Sequence, residues 1–551
     1  MKRYGYLALL LFSAVLISIV CFHSWMNLQE IVAAPSEMWG RHMTIGVTEF
    51  KKSPTIYTKS KSIIAIFADE KGFNKVEVDG MGNIIAEKSI NIEGYYPSRL
   101  IKYQAQGNKL FWTENYDLFC TELQEGKLNK KKLLSEVLDF QLVEQEAGTV
   151  AAVSTKAAVS LYSVSEQGTA IPIAEAQVND AAYISAAVDS RGSIYIAGAS
   201  RTSPTDYELR LFMYDPAVPG LVERTEPVMI ENYSTSREGS NSMNNLELGF
   251  DRDNVYVFYE IGKSSSQGLV ARTYIGRIPR ASGKLEKLVF ERFKLEEGSK
   301  DTETYISSLK CLDNSGDDLS MIMTTPVRTS VKREGSELVY AAMEDGKLAY
   351  KSIATNTGQW NSFTGITRLE DQYVASFLQT IGGTSYIVNL TSTGEEYKAN
   401  HNKTTMADIK ASAMGTIGAY VFSIFTIFIN LLIVAFILLW PISVDFFEWK
   451  YFFKNPLITF RIGAFAETFM MYFSIARIYR NAESVTFMPE ILKHGLTPLG
   501  VLLVTAGLSY YILRLYRKSK SDLHSFTELA LFILIHNIFV YFLYTAYIAR
   551  F

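Results

Sequence analysis

The chain has 551 residues, a formal net charge of −3 and a pI near 6.2. This length exceeds what one ordinary core fills, so we expect at least two domains. The charge balance gives no basic field, which excludes nucleic acid as an expected partner, and the mean hydropathy of +0.06 averages two unlike parts.

The first apolar run predicts a membrane anchor. Two basic residues precede the run from Gly5 to Phe22, which is longer than the roughly 7–15 apolar residues of a cleaved signal peptide. The nearest small-residue pair, Ala33-Ala34, lies far downstream. Residues 1–26 are therefore interpreted as an uncleaved signal anchor, with a removed signal as the alternative. In both cases the domain that follows is exported.

Residues 27–400 predict an all-β domain. Short strand-like runs recur between 41 and 65 residues apart, several of them after turns of Asp, Gly or Asn. The seven runs begin at Ser62, Lys109, Val150, Ser193, Asn254, Leu319 and Tyr373. Asx-Gly turns at Asp79-Gly80 and Asp345-Gly346 indicate further hairpins. This pattern predicts a β-propeller of about seven blades, and six or eight blades also fit.

Two of these blades resemble a known repeat. The stretch Val188–Ala197, with its Asp, Gly and Ile-Tyr, resembles the NHL-type propeller repeat. Asp251–Val257 is similar but has Asn254 where that repeat has glycine. The resemblance implies the fold only. Propellers of this type are mostly binding platforms, and some are enzymes.

Cysteine and histidine usage limits the chemistry of the β domain. Apart from Cys21 in the first apolar run, only Cys120 and Cys311 occur, so at most one disulfide is expected there. No histidine lies between His42 and His401, which argues against histidine-ligated zinc and against Ser-His or Cys-His catalysis. We found no catalytic motif, and the sequence implies no cofactor.

The last part of the chain predicts a membrane domain. Residues 394–412 are polar and predict a closing strand followed by a stalk, assigned to 401–416. Residues 417–551 then predict a four-helix transmembrane domain. Its four spans are Ile417–Trp440, Leu457–Ala476, Leu496–Leu513 and Leu529–Ile548.

With the anchor, this gives five transmembrane helices and places Phe551 outside. The cytoplasmic connectors then hold seven basic residues against three outside, as the positive-inside rule requires. Asp445–Lys454 is too polar to cross the bilayer and is predicted to lie at its interface.

Five polar residues form a candidate intramembrane site. Glu467 lies inside the second C-terminal span, Glu528, His536 and Asn537 belong to the last, and Asn430 belongs to the first. Ionisable groups in hydrocarbon usually face the bundle interior, a cavity or a partner. The functional interpretation of these residues is a proton or ion path, or contact with another membrane protein. The sequence favours the simpler interpretation, in which Glu467 and His536 only join the helices by hydrogen bonds.

Candidate sites in the β domain have ordinary explanations as well. The turns Asp251–Asp253 and Asp313–Asp318 offer oxygen ligands for calcium, but Asp and Asn are common turn residues. The basic run Lys130–Lys132, with Lys127 just before it, fits a solvated turn or contact with anionic polymers. A glycosidase would need two convergent acids. The acids considered are Glu77, Asp79, Glu114, Asp117, Asp189 and Glu260.

These features together predict a multi-pass cell-membrane protein whose propeller is extracytoplasmic and binds or senses a ligand or envelope partner without catalysis. Its expected contacts are the lipid bilayer and another membrane or envelope protein. Two alternatives stay open: an accessory subunit of a transport or export complex, and an envelope hydrolase or lyase that uses channel carboxylates.

Overall fold

The computed structural model describes residues 2–544 with short gaps. The gaps are 124–125, 146–147, 166, 204–205, 231–240, 266–267, 281–284, 296–304, 313–317, 329–333, 382–384, 447–455, 481–484, 486–487, 489 and 520–523. One compact unit comprises Ala34–Arg328 and Glu334–Lys403, and a second contains Met1–Ala33 and Thr404–Phe551. The first unit is built mainly from strands and the second from helices.

The first unit contains seven sheets that are antiparallel except for one added strand. The first sheet has β2 (Thr55–Lys59), β3 (Ser62–Asp69), β4 (Gly72–Asp79), β5 (Ile84–Glu93) and the parallel strand β9 (Gly126–Asn129). The second has β6 (Leu100–Gln106), β7 (Lys109–Glu114), β8 (Asp117–Glu122) and β10 (Lys131–Leu134), and the third has β11 (Asp139–Gln145), β12 (Gly148–Ser154), β13 (Ala158–Val164) and β14 (Ala170–Gln177). The fourth has β15 (Ala181–Val188), β16 (Ile194–Arg201), β17 (Tyr207–Asp215), β18 (Val218–Glu223) and β19 (Val228–Ile230).

The remaining three sheets follow the same plan. The fifth has β20 (Asn241–Phe250), β21 (Asn254–Ser265), β22 (Gly268–Pro279) and β23 (Phe290–Arg292), and the sixth has β24 (Ser307–Cys311), β25 (Leu319–Arg328), β26 (Glu334–Glu344) and β27 (Lys347–Ile353). The seventh has β28 (Asn361–Leu369), β29 (Gln372–Ile381), β30 (Ser385–Ser392) and, as its outermost strand, the first strand of the unit, β1 (Met43–Thr48).

These sheets are the blades of a closed ring. The innermost strands β2, β6, β11, β15, β20, β24 and β28 each pack against the next, and β28 packs against β2. The prediction of a seven-bladed β-propeller is therefore confirmed. Cys120 lies in the second blade and Cys311 in the sixth, and no disulfide joins them.

The seven runs recognised in the sequence are the second strands of the seven blades. They fall on β3, β7, β12, β16, β21, β25 and β29. Such a strand has a hydrogen-bonded neighbour on each edge and a packed blade on each face. Its side chains are therefore buried without alternation, as in β3, where Ile63–Ala68 are all buried.

The stretch that resembles the NHL repeat forms a tight turn between β15 and β16. The Asp189 Oδ1 atom accepts hydrogen bonds from the backbone N–H groups of Arg191 and Ser193, each at 2.9 Å. Gly192 has a φ of +81°, which favours glycine. The Asp and Gly of the repeat are thus explained by the turn itself.

The matching turn of the fifth blade is one residue shorter. The Asp251 Oδ1 atom accepts from the N–H groups of Asp253 at 2.9 Å and Asn254 at 2.7 Å, so no glycine is needed. The Arg280 guanidinium joins the two blades, because it donates to the Asp189 carboxylate and to the Asp251 carbonyl oxygen, both at 3.0 Å.

The seventh blade is completed by β1, the N-terminal strand of the unit, which pairs with β30. Residues 394–412, expected to form a closing strand and a stalk, instead form helix α2 (Glu395–His401) and the start of helix α3 (Met406–Phe446). Glutamates in the first turn of α2 and basic residues in its last turn suit the helix dipole. The buried Tyr397 of α2 donates its hydroxyl to backbone oxygens of Arg41 and Leu390, which anchors the helix to the closing blade.

The two ends of the ring differ in what they carry. Strand β1 begins where β30 ends, because Met43 pairs with Leu390 while Thr48 pairs with Tyr386. We call this the junction end, because β30 runs from it into α2 and β1 begins there. The opposite end, which we call the free end, carries the turns between the second and third strands of the blades and the connections between blades.

The second unit contains the long helices. They are α1 (Lys2–Val32), α3, α4 (Pro456–Arg480), the short α5 (Glu490–Lys493), α6 (Thr497–Arg517) and α7 (Ser525–Leu543). Within the described residues, α1, α3, α6 and α7 are long and apolar enough to cross a membrane. Helix α4 has 25 residues but is not among these four, so the predicted count of five is not established. Most of Asp445–Lys454 lies outside the described residues.

Helix α1 is packed into this unit. Its apolar face, including Ala8, lies in one cluster with Ile512, Leu515 and Phe539 of α6 and α7. Polar contacts add to this near its end, where the Asn27 amide donates to the Thr416 hydroxyl at 2.7 Å.

Candidate functional sites

Three exposed aromatic side chains lie at the free end of the propeller. Tyr116 is in the turn after β7, Tyr96 is in the connection from β5 to β6, and Trp360 is in the connection from β27 to β28. Their exposed fractions are 56%, 52% and 66%. These connections belong to four consecutive blades of the ring, the sixth, seventh, first and second. We call these three residues the free-end aromatics.

Cations accompany one of these rings. The Arg99 guanidinium lies 4.9 Å from the centre of the Tyr96 ring, and the Lys130 ammonium lies 5.7 Å from it. Lys130 also pairs with Glu114 at 3.2 Å. A half-exposed aromatic ring with cations close to it offers a surface for stacking or hydrogen bonding.

The basic run Lys130–Lys132 is neutralised by its own surroundings. Lys132 pairs with Asp117 at 2.8 Å, and the Lys131 ammonium donates to the backbone oxygen of Gln167 at 2.7 Å. With Lys130 paired to Glu114, each of the three lysines has a partner. The run therefore offers little free positive charge for an anionic polymer.

The inner strands are linked by side chains that bond the exposed strand edges. The Gln104 side chain accepts the N–H of Leu142 at 2.8 Å. Between the fourth and fifth blades, the Ser185 hydroxyl oxygen accepts the N–H of Leu248 at 3.0 Å. An inner strand edge with unpaired backbone groups could pair with a strand of another chain. These side-chain hydrogen bonds occupy some of those backbone groups.

Two ion pairs lie on the inner strands. Lys102 pairs with Asp139 at 2.9 Å, and Lys310 pairs with Glu247. Burial alone would lower the pKa of Lys310, but the Glu247 carboxylate outweighs it, so the pKa is raised. These carboxylates were not among the six acids considered from the sequence, because nothing in the local pattern of inner strands distinguishes them.

The six acids named from the sequence have different roles in the structure. Asp79 and Asp189 form turns, and Glu77 lies half-buried on β4. Glu114 and Asp117 face each other at the end of the β7–β8 hairpin, where each pairs with a lysine. Glu260 accepts the backbone N–H of Ser308 at 2.7 Å. No group of three His, Cys, Asp or Glu side chains within the described ranges could hold a metal ion. Residues 313–317 of the second oxygen-rich turn, Asp313–Asp318, lie outside those ranges.

The predicted intramembrane residues divide into a buried cluster and a rim pair. Glu467, His536, Asn537 and Asn430 come together between α3, α4 and α7. Glu528 does not join them, because it pairs with Arg517 of α6 at 3.1 Å.

The cluster is a continuous hydrogen-bond chain. His536 Nδ1 lies 2.7 Å from Glu467 Oε2, and the Asn537 amide donates to Glu467 Oε1 at 2.8 Å. The Asn430 amide donates to Asn537 Oδ1. At the other end, His536 Nε2 lies 3.1 Å from the hydroxyl oxygen of Thr505 on α6. The sequence analysis missed Thr505, since one hydroxyl in an apolar helix is a weak signal.

No known protein family and no curated protein sequence matches the chain. Solved structures that it resembles include the N-terminal domain of Nup159, at 11% identity and a TM-score of 0.37 over 65% of this chain and 97% of that one. The polysaccharide lyase Uly1 matches at 7% identity and a TM-score of 0.38 over 62% and 89%. An α-L-arabinofuranosidase from Fusarium graminearum matches at 6% identity and 0.30 over 47% and 92%. Similarities at this level say nothing about ligand or activity.

Proposed function

We propose that this chain is a cell-membrane protein whose propeller lies outside the cytoplasm and binds a ligand or an envelope partner through its free-end aromatics. One observation carries the proposal: three of the exposed aromatic rings of the propeller share one end of the ring, opposite to the end where β1 begins and β30 ends. Exposed Trp and Tyr are enriched at recognition surfaces, because they supply much contact area at a low entropic cost.

The helices support the first part of this proposal. Apolar helices precede and follow the propeller in the chain, and four of them have the length and composition of membrane spans. The positive-inside rule favours an external propeller if α4 also crosses the bilayer. A membrane-impermeant maleimide tests this orientation in intact cells, with a chain in which the three native cysteines are replaced and Trp360 is changed to Cys. Labelling supports an external propeller, and labelling only after lysis contradicts it.

Site-specific photocrosslinking tests the binding surface. A photoreactive amino acid is placed at position 96, 116 or 360 in intact cells, and at position 350 as the control. Tyr350 is 49% exposed but lies on β27, an outer strand of its blade. We expect adducts from the three free-end positions and none from the control. Equal crosslinking at all four positions would contradict the proposal.

The identity of the adduct separates the remaining alternatives. A glycan or an envelope protein supports the binding role, and a subunit of a transport complex would make the chain an accessory subunit. The hydrolase or lyase alternative has no pair of unengaged acids to support it among the described residues named above.

A further inference from the structure

The side chain of Glu337 is bonded by a single connection between two blades. Glu337 lies on β26, the third strand of the sixth blade, and is fully buried. Its hydrogen-bond donors among the described residues all belong to the segment 355–361, which leads from β27 into the seventh blade. None of these donors is a lysine or an arginine. Burial of this side chain would be costly without them, so its position and the path of the connection depend on each other.

Both carboxyl oxygens of Glu337 accept hydrogen bonds from the backbone. The Gly358 N–H donates to Oε1 at 2.6 Å, and the Thr357 N–H donates to Oε2 at 3.1 Å. Two side chains donate to Oε2 as well, namely the Thr355 hydroxyl at 2.6 Å and the Asn361 amide at 3.2 Å. One side chain thus fixes four residues of the connection.

The backbone of this connection also packs directly on two blades. The Ser336 N–H of β26 donates to the Gln359 carbonyl oxygen at 3.0 Å. A Cβ added at Gly335 would lie 2.3 Å from that oxygen, so a side chain there would force the connection to move. On its other side, the Trp360 carbonyl oxygen accepts the N–H of Thr380 of the seventh blade at 3.2 Å. The backbone around Gln359 and Trp360 is therefore fixed, although both side chains are exposed.

We propose that Glu337 is a positioning residue of the binding surface, which fixes this connection so that Trp360 is presented to the ligand in one orientation. This role rests on the proposed function, because it acts through one of the free-end aromatics. Glu337 is buried and does not itself touch the ligand. A side chain on a fixed backbone loses less conformational freedom on binding than one on a mobile segment, so the network increases affinity.

Glu337→Gln is the most direct test variant. Glutamine keeps the size of the side chain but replaces one acceptor oxygen by an NH2 group. In either orientation of the amide, this donor faces a backbone N–H, either that of Gly358 or that of Thr357. Glu344→Gln is the matched control, because Glu344 lies on the same strand but is exposed.

Thr357→Val is a milder variant, which keeps the test decisive if Glu337→Gln does not fold. It removes a hydroxyl group that lies 3.2 Å from both carboxyl oxygens of Glu337. The same hydroxyl oxygen accepts the Gln359 N–H at 3.1 Å and the Asn361 amide at 2.7 Å. The backbone N–H of residue 357 can still donate to Glu337 in this variant, so we expect a smaller effect in the same direction.

A spin label measures the order of the connection without any ligand. The label is attached to a cysteine at the exposed position 359 of the purified full chain in detergent, with the three native cysteines replaced. We expect one restricted component in the native background and in Glu344→Gln. Glu337→Gln and Thr357→Val should add a mobile component to the spectrum. Spectra of these two variants that match the native spectrum would overturn the positioning role.

Photocrosslinking at position 116 in intact cells measures whether this order matters for binding. Trp360→Ala should lower the adduct yield. Glu337→Gln should lower it by roughly two- to tenfold, the loss expected when one side chain must be ordered on binding. In a chain that already carries Trp360→Ala, Glu337→Gln should cause no further loss, since it acts only through that ring. An equal loss in both backgrounds is what a merely structural role would give, and it would overturn the proposal.

The same experiment separates failure of this role from failure of the proposed function. Absence of adducts from the native chain at positions 96, 116 and 360 would overturn the proposed function, and the role of Glu337 with it. Native adducts that Trp360→Ala lowers but Glu337→Gln does not would overturn the positioning role alone. Trp360→Ala without any effect at position 116 would also overturn it, because no contribution of Trp360 would remain for Glu337 to support.

Discussion

Asp139 of one inner strand accepts a hydrogen bond from the backbone N–H of Ile184 on the inner strand of the next blade, over 3.0 Å. The same carboxylate pairs with Lys102 of the preceding blade at 2.9 Å. One side chain thus connects three consecutive blades. It also accepts the Ile184 N–H, which lies on the inner edge of β15, where no neighbouring strand pairs with the backbone.

Asp139→Ala should lower the free energy of unfolding of the propeller by about 1–3 kcal/mol, because it leaves the Ile184 N–H and the Lys102 ammonium without this partner. Asp139→Asn keeps an acceptor and should cost less. Chemical unfolding followed by circular dichroism in the strand region measures the difference. Asp371→Ala removes an exposed carboxylate that pairs with Arg368, and this control should unfold like the native chain. An Asp139→Ala chain as stable as the control would contradict the role assigned to this residue.

Gly192→Ala should destabilise the fourth blade by about 1 kcal/mol through the backbone alone. An added Cβ at position 192 would meet no atom within 4 Å, so the cost comes from the φ of +81°. Gly192→Asn should cost less, since asparagine adopts this conformation more readily.

Gly198→Ala is the matched control, because its Cβ would be 3.6 Å from Val159 in ordinary contact and its φ is not positive. The same unfolding measurement compares the three variants. Equal stability of Gly192→Ala and Gly192→Asn would show that backbone conformation is not the cause.

The sequence predicted about seven blades, with six or eight left open, because each blade contains one strand that is buried on both faces. The runs at Ser62 and Tyr373 are examples, and their burial leaves an uninterrupted apolar signal. The closing strand was predicted in the wrong place, within residues 394–412, which form helices. The partner of β30 is β1, more than 300 residues earlier, and such a pairing leaves no local pattern at either strand.

The candidate sites also differed in how strong a local sequence signal they left. The polar residues of the cluster stood out because Glu467 and His536 interrupt apolar helices. The inner-strand acids Asp139 and Glu247 did not stand out, since carboxylates are common throughout a β domain with many exposed positions. Each comes close to its lysine only when neighbouring blades pack in the ring. The sequence did not single out the free-end aromatics either, because their shared location depends on which end of the ring each turn occupies.

Helix α1 should be retained in the mature protein. Its removal would expose the faces of Ile512 and Phe539 that it covers and would break the hydrogen bond between Asn27 and Thr416. Intact-mass measurement of the chain extracted from membranes should therefore include residues 2–32. A mature chain that begins after Val32 would contradict this prediction.

Glu260→Gln should stabilise the propeller at neutral pH relative to the native chain, but not at acid pH. Burial raises the pKa of Glu260, although the Ser308 N–H and the Asn244 amide act in the opposite direction. The folded state therefore holds this proton more tightly than the unfolded state. Its stabilising contribution is complete below the ordinary value of 4.5 and is lost as the pH rises through the raised pKa.

Unfolding measured from pH 4 to 8 tests the sign directly. The native chain should lose up to about 1.4 kcal/mol per pH unit relative to Glu260→Gln above pH 4.5, until the carboxyl group ionises in the folded state. Glutamine still offers an oxygen to the Ser308 N–H, so the variant retains that hydrogen bond. Glu87→Gln, at an exposed position on β5, is the control and should show no such divergence. A constant offset between Glu260→Gln and the native chain over the whole range would mean that Glu260 ionises alike in the folded and unfolded states.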